Sequence, residues 1–328
     1  MQYHVDGELV PAEAATVSVH DRGFRYGDAA FETLRAYGGA VFEWATHEER
    51  LRRTAERLGF AEAVPADLAV RVAETLDANG VQDAYVRLSV SRGTQSGRLT
   101  PGLGRDVDPT VVVVVEPLPR GGLAGEPVWS EPATLQIVKP RAVPDAAIPS
   151  GLKTHNYLNG VLARLELERA ATEAYRADEA LIRDGEGFVA EGATSNVFFV
   201  DGGTLKTPSA DGPLLPGVTR SVVLDLAATE GFPTETGRYA PTDVRGADEV
   251  FLTNTTWEIR PVDRVDGVAV GAGGGGDSSD GREDTGSDVG SETGTHAGPM
   301  TRLLSRLFDE LVERRHYGDS HAGGRREP

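Results

Sequence analysis

The chain has 328 residues, of which 39% are hydrophobic and 6% aromatic, and its 51 acidic and 33 basic residues give a formal net charge of −18. It contains no cysteine, which excludes disulfides, thiolate metal sites, iron–sulfur clusters and thiol nucleophiles. No apolar run approaches the ~20 residues of a membrane span, the acidic start is unlike a secretory signal, and the acid excess repels phosphate backbones. We therefore expect a cytoplasmic protein that binds neither membranes nor nucleic acids.

The first 115 residues have the pattern of an α/β unit. A hairpin that turns at Asp6-Gly7 opens the chain, and a β-type segment around Ala30–Tyr37 ends in a second turn at Gly38-Gly39. Apolar residues at helical spacing then predict two helices, and two β-type runs predict strands. The helices are His47–Leu58 and Pro65–Ala78, and the strands are Ala84–Ser91 and Thr110–Glu116.

The second half follows the Pro- and Gly-rich segment Glu116–Gly125, which we take as the boundary between domains. It alternates between β-type runs and helical patterns, and one helix begins at PGVTR, where proline suits the first turn. The predicted elements are a strand near Thr134–Val138, a long amphipathic helix from about Asn156 to Ala174, a strand meander over 180–208, a helix at Pro216–Thr229, a strand at Glu249–Thr253 followed by a polar turn, and a helix over 301–315.

A low-complexity segment interrupts this second half. Residues 271–298 are acidic and Gly-rich, so they cannot bury enough apolar surface to order themselves, and we expect a disordered insertion. The helix after it carries its leucines on one face and is expected to dock back on the domain. The sequence thus predicts an N-terminal α/β domain (1–118), a linker (119–125) and a C-terminal domain (126–270 and 299–317).

Few residues carry obvious chemistry. No G-x-S-x-G, H-E-x-x-H or P-loop motif occurs, and the seven histidines lack metal-ligand spacing, so no metal is expected. Only three of the basic residues are lysines, and lysine, unlike arginine, can lose its proton and form an imine. Lys139 and Lys206 suit structural and solvated positions. Lys153 lies between a Pro/Gly turn and the long helix, a position that taken alone is more typical of a structural lysine.

Seven segments change that interpretation: DRGFRYGDAAFETLR (Asp21–Arg35), HEERL (His47–Leu51), KTHNYLNGVLA (Lys153–Ala163), EGATSNVFF (Glu191–Phe199), LLPGVTR (Leu214–Arg220), TNTTWEIRPV (Thr253–Val262) and GPMTRLL (Gly298–Leu304). In this order they resemble the class IV aminotransferases, the pyridoxal-phosphate enzymes of fold type IV. That family includes branched-chain and D-amino-acid aminotransferases and 4-amino-4-deoxychorismate lyase. The resemblance implies an α/β (α+β) fold with a small N-terminal α/β domain and a larger, β-barrel-like C-terminal domain with helices.

The resemblance also implies a cofactor, pyridoxal 5'-phosphate, and residues that bind it. Lys153 resembles the family's Schiff-base lysine, whose amine must be neutral to move a proton. Glu191 resembles the carboxylate that faces the pyridine nitrogen and keeps it protonated. Arg50 resembles the phosphate arginine, and Val218 and Thr219 would offer backbone N–H groups to the phosphate at a helix start.

Further residues are implied around the cofactor and the substrate. Thr255 would add a hydroxyl to the phosphate site, and the backbone of Thr255 and Thr256 resembles the segment that also binds the substrate carboxylate. Tyr157 either bonds the cofactor's ring hydroxyl or packs at the helix start, because it lies four residues after the lysine where branched-chain enzymes have five. The segments that shape the substrate pocket in relatives contribute Tyr26, Phe31, Arg87 and Arg98.

The flanking motifs favour more than one reaction. FETLR and the TN…RPV frame resemble the lyases, TNTTWE resembles the D-amino-acid aminotransferases, and YVRL resembles the branched-chain type. We predict an aminotransferase that passes an amino group from a branched-chain or similar amino acid to a 2-oxo acid. The lyase, which makes 4-aminobenzoate and pyruvate, is the alternative, and a non-catalytic descendant is a third interpretation.

Two expectations concern the state of the protein in the cell. A neighbouring subunit completes the active site in the family, so the resemblance implies a homodimer. The acidic residues are spread along the chain rather than gathered in one block. This distribution is typical of a surface that stays hydrated in a high-salt cytoplasm, so we expect a halophilic protein.

Overall fold

A computed structural model describes residues 1–96, 99–120, 127–271 and 297–318. Arg98, most of the predicted linker and nearly all of the predicted insertion lie outside these ranges. The strands are β1 (Gln2–Val5), β2 (Glu8–Pro11), β3 (Ala29–Tyr37), β4 (Ala40–Val41), β5 (Ala84–Ser91), β6 (Val111–Pro117), β7 (Ala133–Arg141), β8 (Glu179–Arg183), β9 (Val189–Gly192), β10 (Asn196–Asp201), β11 (Thr204–Pro208), β12 (Thr234–Gly237), β13 (Glu249–Asn254), β14 (Glu258–Val265) and β15 (Val268–Ala269). The α-helices are α1 (Arg22–Tyr26), α2 (Trp44–Leu58), α3 (Leu68–Asn79), α4 (Leu158–Ala170), α5 (Val218–Thr229), α6 (Pro241–Arg245) and α7 (Pro299–Val312).

The N-terminal strands form one antiparallel sheet with the order β2-β1-β6-β5-β3-β4. Residues of β5 and β6 alternate between buried and partly exposed, as expected for a sheet with one face on a core. Helices α2 and α3 cover that face, where Leu51 and Leu76 join Leu88 and Val113 in one apolar cluster. Both hairpin turns and both helices predicted for this half are confirmed.

Strand β3 is buried along almost its whole length, because both of its faces are covered. Side chains of alternate residues point to opposite faces of a strand. Leu34 packs in the apolar cluster under α2 and α3, whereas Tyr37 packs with Phe42 and with Phe308 of α7. One face of β3 therefore packs against α2 and α3, and its other face packs against the second half of the chain.

The second sheet has the strand order β12-β11-β10-β13-β14-β7-β8-β9, with β15 paired to β14. It is mixed, since β7 runs parallel to both of its neighbours, and it curls into a half-barrel. Helices α5 and α7 pack on it around the stacked rings of Phe198 and Phe251, whose centroids are 5.0 Å apart. Buried Glu249 accepts hydrogen bonds from the Met300 and Thr301 N–H groups at the start of α7, so the predicted docking of this helix is confirmed.

The helix after Lys153 differs from its prediction. It spans Leu158–Ala170 instead of about Asn156 to Ala174, because the residues before it form backbone hydrogen bonds with β3. The Phe31 N–H donates to the Lys153 carbonyl at 3.0 Å, and the His155 N–H donates to the Ala29 carbonyl at 3.2 Å. Lys153 is thus held in an extended segment against the first sheet and not at the start of a helix.

None of the helices in the described ranges has the length and apolar character needed to cross a membrane.

Candidate active site

The two sheets and the extended segment at Lys153 enclose a cavity of about 550 Å³. Most of the residues predicted for the site line it, although they come from distant parts of the chain. Tyr26, on α1, does not line it, and Arg98 lies outside the described residues. The predicted residues that line the cavity are Phe31, Arg50, Arg87, Lys153, Tyr157, Glu191, Val218, Thr219, Thr255 and Thr256.

Lys153 is the only one of the three lysines that lines the cavity. Lys139 is exposed on β7, and Lys206 is paired with Asp201 at 2.7 Å. The Lys153 amine donates to the Tyr157 hydroxyl at 3.1 Å and lies 4.5 Å from the centre of the Phe31 ring. Burial, followed by the charge of the Arg50 guanidinium, lowers the pKa of Lys153 to about 8, so much of this amine is neutral in mildly basic solution.

Glu191 lies on β9 at the wall of the same cavity. Its Oε2 accepts a hydrogen bond from the Leu215 N–H at 3.0 Å, which fixes the orientation of the carboxyl. Burial raises the pKa of Glu191 to about 8, although this hydrogen bond and the charge of Lys153 act in the opposite direction. The carboxylate form is therefore costly in the protein alone and would be stabilised by a cationic partner.

Buried Glu179 holds the loop that follows Glu191. It accepts from the Thr194 hydroxyl at 2.7 Å and from the Ala193 N–H at 3.2 Å. Both of these loop residues line the cavity. The loop is thus fixed from behind by one carboxylate, a role for Glu179 that was not predicted from the sequence.

One end of the cavity is built to bind an anion. Helix α5 begins there at Val218, and its N-cap residue, Gly217, provides no side-chain cap, so N–H groups of the first turn are available to a ligand. A Cβ on Gly217 would lie 2.1 Å from the Asn196 Oδ1, so this close approach requires glycine. Arg50 reaches the same end, where its Nη1 donates to the Pro216 carbonyl at 2.9 Å.

The residues that hold Arg50 were not predicted from the sequence. Glu32 accepts from the Arg50 Nε at 2.8 Å and from its Nη2 at 2.6 Å, and the His47 Nδ1 lies 2.8 Å from the same carboxylate. Burial alone would raise the pKa of Glu32, but the hydrogen bonds and charges of Arg50 and His47 prevail and lower it to about 2. An acidic residue inside the apolar strand AAFETLRAY is the signal that could have identified this pair.

The turn between β13 and β14 forms a further part of the cavity wall. The Asn254 Oδ1 accepts from the Thr256 N–H at 3.0 Å and from the Trp257 N–H at 2.6 Å, which is the geometry of an Asx turn. Thr255, Thr256 and Trp257 line the cavity. The turn thus presents a hydroxyl and backbone groups to a ligand, as the resemblance implies.

Two further arginines line the cavity. The Arg87 guanidinium lies 4.0 Å from the centre of the Phe31 ring, and within the described residues neither it nor Arg220 has a carboxylate partner. Arg220 is only 7% exposed, and its Nε has no hydrogen-bond partner. Burial, followed by the charge of Arg87, lowers the pKa of nearby His155 to about 4, so that imidazole is neutral.

These residues fit pyridoxal phosphate. An amine whose pKa is lowered to about 8 and a carboxyl whose ionisation needs a cationic partner share one cavity. An uncapped helix start and a fixed arginine lie at one end of it. In a protein of net charge −18, this cavity carries two arginines without carboxylate partners among the described residues, which favours anionic ligands. No group of metal-ligating side chains occurs in the part of the chain that the structure describes.

Comparison with known proteins identifies the family. Residues 29–265 match the family described as amino-transferase class IV. A protein of Methanocaldococcus jannaschii with a provisional assignment as a branched-chain-amino-acid aminotransferase is 36% identical over 272 residues, which cover 82% of this chain and 90% of that protein. The D-alanine aminotransferase of Listeria monocytogenes is 31% identical over 279 residues, which cover 83% of this chain and 90% of that protein.

Solved structures agree. The T.th. branched-chain amino acid aminotransferase, complexed with N-(5'-phosphopyridoxyl)-L-glutamate, superimposes with a TM-score of 0.78 at 28% identity and covers 97% of this chain and 96% of its own. The 4-amino-4-deoxychorismate lyase of Pseudomonas aeruginosa has a TM-score of 0.73 at 28% identity and covers 96% of this chain and 99% of its own. The predicted fold is confirmed, and the chain belongs to the class IV aminotransferases, a family of pyridoxal-phosphate-dependent enzymes with fold type IV.

Proposed function

We propose that this enzyme is a pyridoxal-phosphate-dependent aminotransferase that transfers the amino group of a branched-chain or similar amino acid to a 2-oxo acid. The observation that carries the proposal is the position of the Lys153 amine. It lies in one cavity with Glu191 and with the uncapped start of α5. When bound, the cofactor supplies an electron sink for negative charge at the substrate Cα.

Six residues would hold the cofactor. The Lys153 Nζ would attach it covalently, and Glu191 would face its pyridine nitrogen, whose positive charge would favour the ionised carboxylate. The phosphate would be bound by Arg50, by the N–H groups of Val218 and Thr219, and by the Thr255 hydroxyl. This assignment is supported by the arrangement of all six residues around one cavity.

Lys153 would then act as the base and acid of the reaction. A neutral Nζ can accept the proton that leaves the substrate Cα and can then donate it to another atom of the reacting group. The lowered pKa of Lys153 keeps a fraction of the amine neutral for this role. The Tyr157 hydroxyl, 3.1 Å from the Nζ, orients the amine. Burial raises the pKa of Tyr157, so its hydroxyl keeps its own proton.

Substrate recognition would use the turn, Arg87 and two aromatic residues of the cavity wall. The turn at Thr255 and Thr256 would bind the α-carboxylate, and the Arg87 guanidinium, which lacks a carboxylate partner among the described residues, would bind a second carboxylate. Phe31 and Trp257 would contact an apolar side chain. This arrangement supports a dicarboxylic acceptor, such as 2-oxoglutarate, together with an apolar amino donor.

The lyase is the second candidate. It is supported by the FETLR and TN…RPV segments and by the fit of the Pseudomonas aeruginosa lyase over nearly the whole chain. Both reactions need the same cofactor residues, so Lys153 and Glu191 do not distinguish them.

Product analysis of the purified holoenzyme tests the proposal. An aminotransferase forms 2-oxo acids from leucine, isoleucine or D-alanine only when 2-oxoglutarate is present. The lyase instead releases pyruvate from aminodeoxychorismate without an acceptor. Borohydride reduction followed by peptide mapping should place the cofactor on Lys153, and Lys139→Ala and Lys206→Ala serve as matched controls. Protein that takes up no cofactor would overturn both candidates.

We also propose a homodimer in a salt-rich cytoplasm. The dimer is supported by Leu158, Val161, Leu162 and Leu165, which form an apolar stripe on the outer side of α4 and are 38–68% exposed. The high-salt proposal is supported by the spread of the acid excess along the chain. Light scattering of the holoenzyme, and its activity after dialysis from high to low salt, test the two parts separately.

A further inference from the structure

Arg35 is a charged residue buried behind the active site. It lies on β3, is 1% exposed and does not line the cavity. Its Nη1 donates to the Thr256 carbonyl at 2.7 Å and lies 3.0 Å from the Glu258 Oε1, and its Nη2 donates to the Pro119 carbonyl at 2.9 Å. Burying a guanidinium so completely is costly, and here two of the three contacts converge on one turn.

That turn is the segment from Asn254 to Glu258, of which Thr255, Thr256 and Trp257 line the cavity. On one side, the Asn254 side chain binds the N–H groups of Thr256 and Trp257. On the other side, Arg35 binds the Thr256 carbonyl. The peptide groups of the turn are therefore held from both sides, and a ligand approaching from the cavity meets them in one orientation.

The end of the turn carries strain that Arg35 and Tyr37 offset. Glu258 has a φ of +61°, in the left-handed region that residues with a Cβ rarely adopt. Its carboxylate is paired with Arg35 and accepts a hydrogen bond from the Tyr37 hydroxyl. Without these two partners, the free energy that keeps Glu258 in this conformation would be lost, and the turn could relax.

The alternation of β3 explains how one strand reaches the turn. Residues two apart share a face of a strand, so Phe31, Thr33 and Arg35 lie on the same face. Phe31 and Thr33 line the cavity, and Arg35 continues this face to the back of the turn. Glu32, on the opposite face, binds Arg50. One strand thus holds both Arg50 and the turn.

We infer that Arg35 is a positioning residue for substrate binding: it sets the turn that receives the substrate carboxylate, with Glu258 and Tyr37 as its supports. The inference rests on the proposed function for the identity of the ligand. It predicts that losing Arg35 weakens carboxylate binding more than it slows the chemical steps at Lys153, because those steps use residues that Arg35 does not contact.

The test compares the holoenzyme with its Arg35→Gln, Arg35→Lys and Tyr37→Phe variants. For each protein, kcat and KM for the amino donor are measured, and calorimetry gives the Kd of pentanoate, a carboxylate without an amino group. Neutral pentanamide serves as the matched ligand control. Arg245→Gln serves as the matched protein control, because Arg245 pairs with Asp266 and does not line the cavity.

For Arg35→Gln we expect KM and the pentanoate Kd to rise about tenfold, as for the loss of a hydrogen bond to a charged group, while kcat changes less than about threefold. Arg35→Lys should be intermediate, because an ammonium cannot reproduce three contacts of a planar fork. Tyr37→Phe, which removes one hydroxyl and leaves the ion pair, should raise both constants about threefold. Pentanamide binding and Arg245→Gln should not change.

Unchanged KM and Kd in a folded Arg35→Gln protein would overturn the inference, as would an equal loss of carboxylate and amide binding. If Arg35→Gln does not fold, Tyr37→Phe decides by the same two constants. Failure of the proposed function is a separate outcome, which is seen when the wild-type holoenzyme catalyses neither the transamination nor the lyase reaction. Weakened pentanoate binding in the variants would still support the positioning role in that case.

Discussion

Glu32 binds Arg50 through both carboxylate oxygens, at 2.8 Å and 2.6 Å, and both side chains are nearly inaccessible to solvent. Their residue numbers differ by only 18, yet they lie on different elements, β3 and α2. The pair joins the first sheet to the end of the cavity at which α5 begins, since Arg50 also binds the Pro216 carbonyl. The Glu32–Arg50 pair therefore contributes both to the stability of the fold and to the anion-binding end of the cavity.

The acid sensitivity of the fold should depend on Glu32. Its pKa is lowered from 4.5 to about 2, so between these values the unfolded chain binds more protons than the folded one and stability falls as the pH falls. The contribution that is present above pH 4.5 and lost toward pH 2 is about 3 kcal/mol. Urea unfolding of wild type and Glu32→Gln between pH 6 and pH 2 measures it. Glu310→Gln, on the surface of α7, should behave like wild type, and parallel pH curves for all three proteins would contradict the prediction.

Lys153 should be the most reactive lysine near neutral pH. Burial and the charge of Arg50 lower its pKa to about 8, whereas the hydrogen bond that Lys206 donates to Asp201 raises the pKa of Lys206. Reductive methylation of the cofactor-free protein, followed by mass spectrometry of the peptides, should give a modification midpoint near pH 8 for Lys153 and a much higher one for Lys206. Equal midpoints at the two positions would refute the lowered pKa of Lys153.

Glu191 should destabilise the cofactor-free protein at basic pH. Burial raises its pKa from 4.5 to about 8, so the folded state binds more protons in this interval and stability declines as the pH rises through it. At pH 8, Glu191→Gln should therefore be more stable than wild type by roughly 4 kcal/mol, with little difference at pH 4.5. Chemical unfolding of both cofactor-free proteins at the two pH values checks this. The same variant should bind the cofactor less tightly, and a pH-independent difference in stability would show that ionisation is not the cause.

Arg87 should select dicarboxylic acceptors. Replacing it with leucine should raise KM for 2-oxoglutarate tenfold or more, because a charge-assisted contact worth about 1.5–3 kcal/mol is lost. KM for the monocarboxylate pyruvate should change less than about twofold, since that acceptor lacks the second group. Steady-state kinetics with the two acceptors measures the difference, and an equal increase for both would place the second carboxylate elsewhere.

The sequence by itself determined the local secondary structure and the residue types available for catalysis. A β-type run predicted β5 with its observed bounds, Ala84–Ser91, because strand periodicity is a property of neighbouring residues. Lys153 became a candidate because lysine can form an imine and arginine cannot, in a chain with only three lysines, but its assignment as the Schiff-base lysine depended on the family resemblance. The resemblance then implied a set of residues, most of which line one cavity.

Interactions between distant residues were decided only by the tertiary structure. The start of α4 at Leu158 depends on hydrogen bonds between Lys153–His155 and β3, and Arg35 reaches the carbonyl of Thr256 across 221 residues. Local patterns contain no information about such pairings, because their free energy comes from burial and hydrogen bonding between separate elements. For the same reason, the chemistry of the family requires a neutral amine at Lys153, but the sequence does not show what lowers its pKa. The cause, burial together with the charge of Arg50, is visible only in the packed cavity.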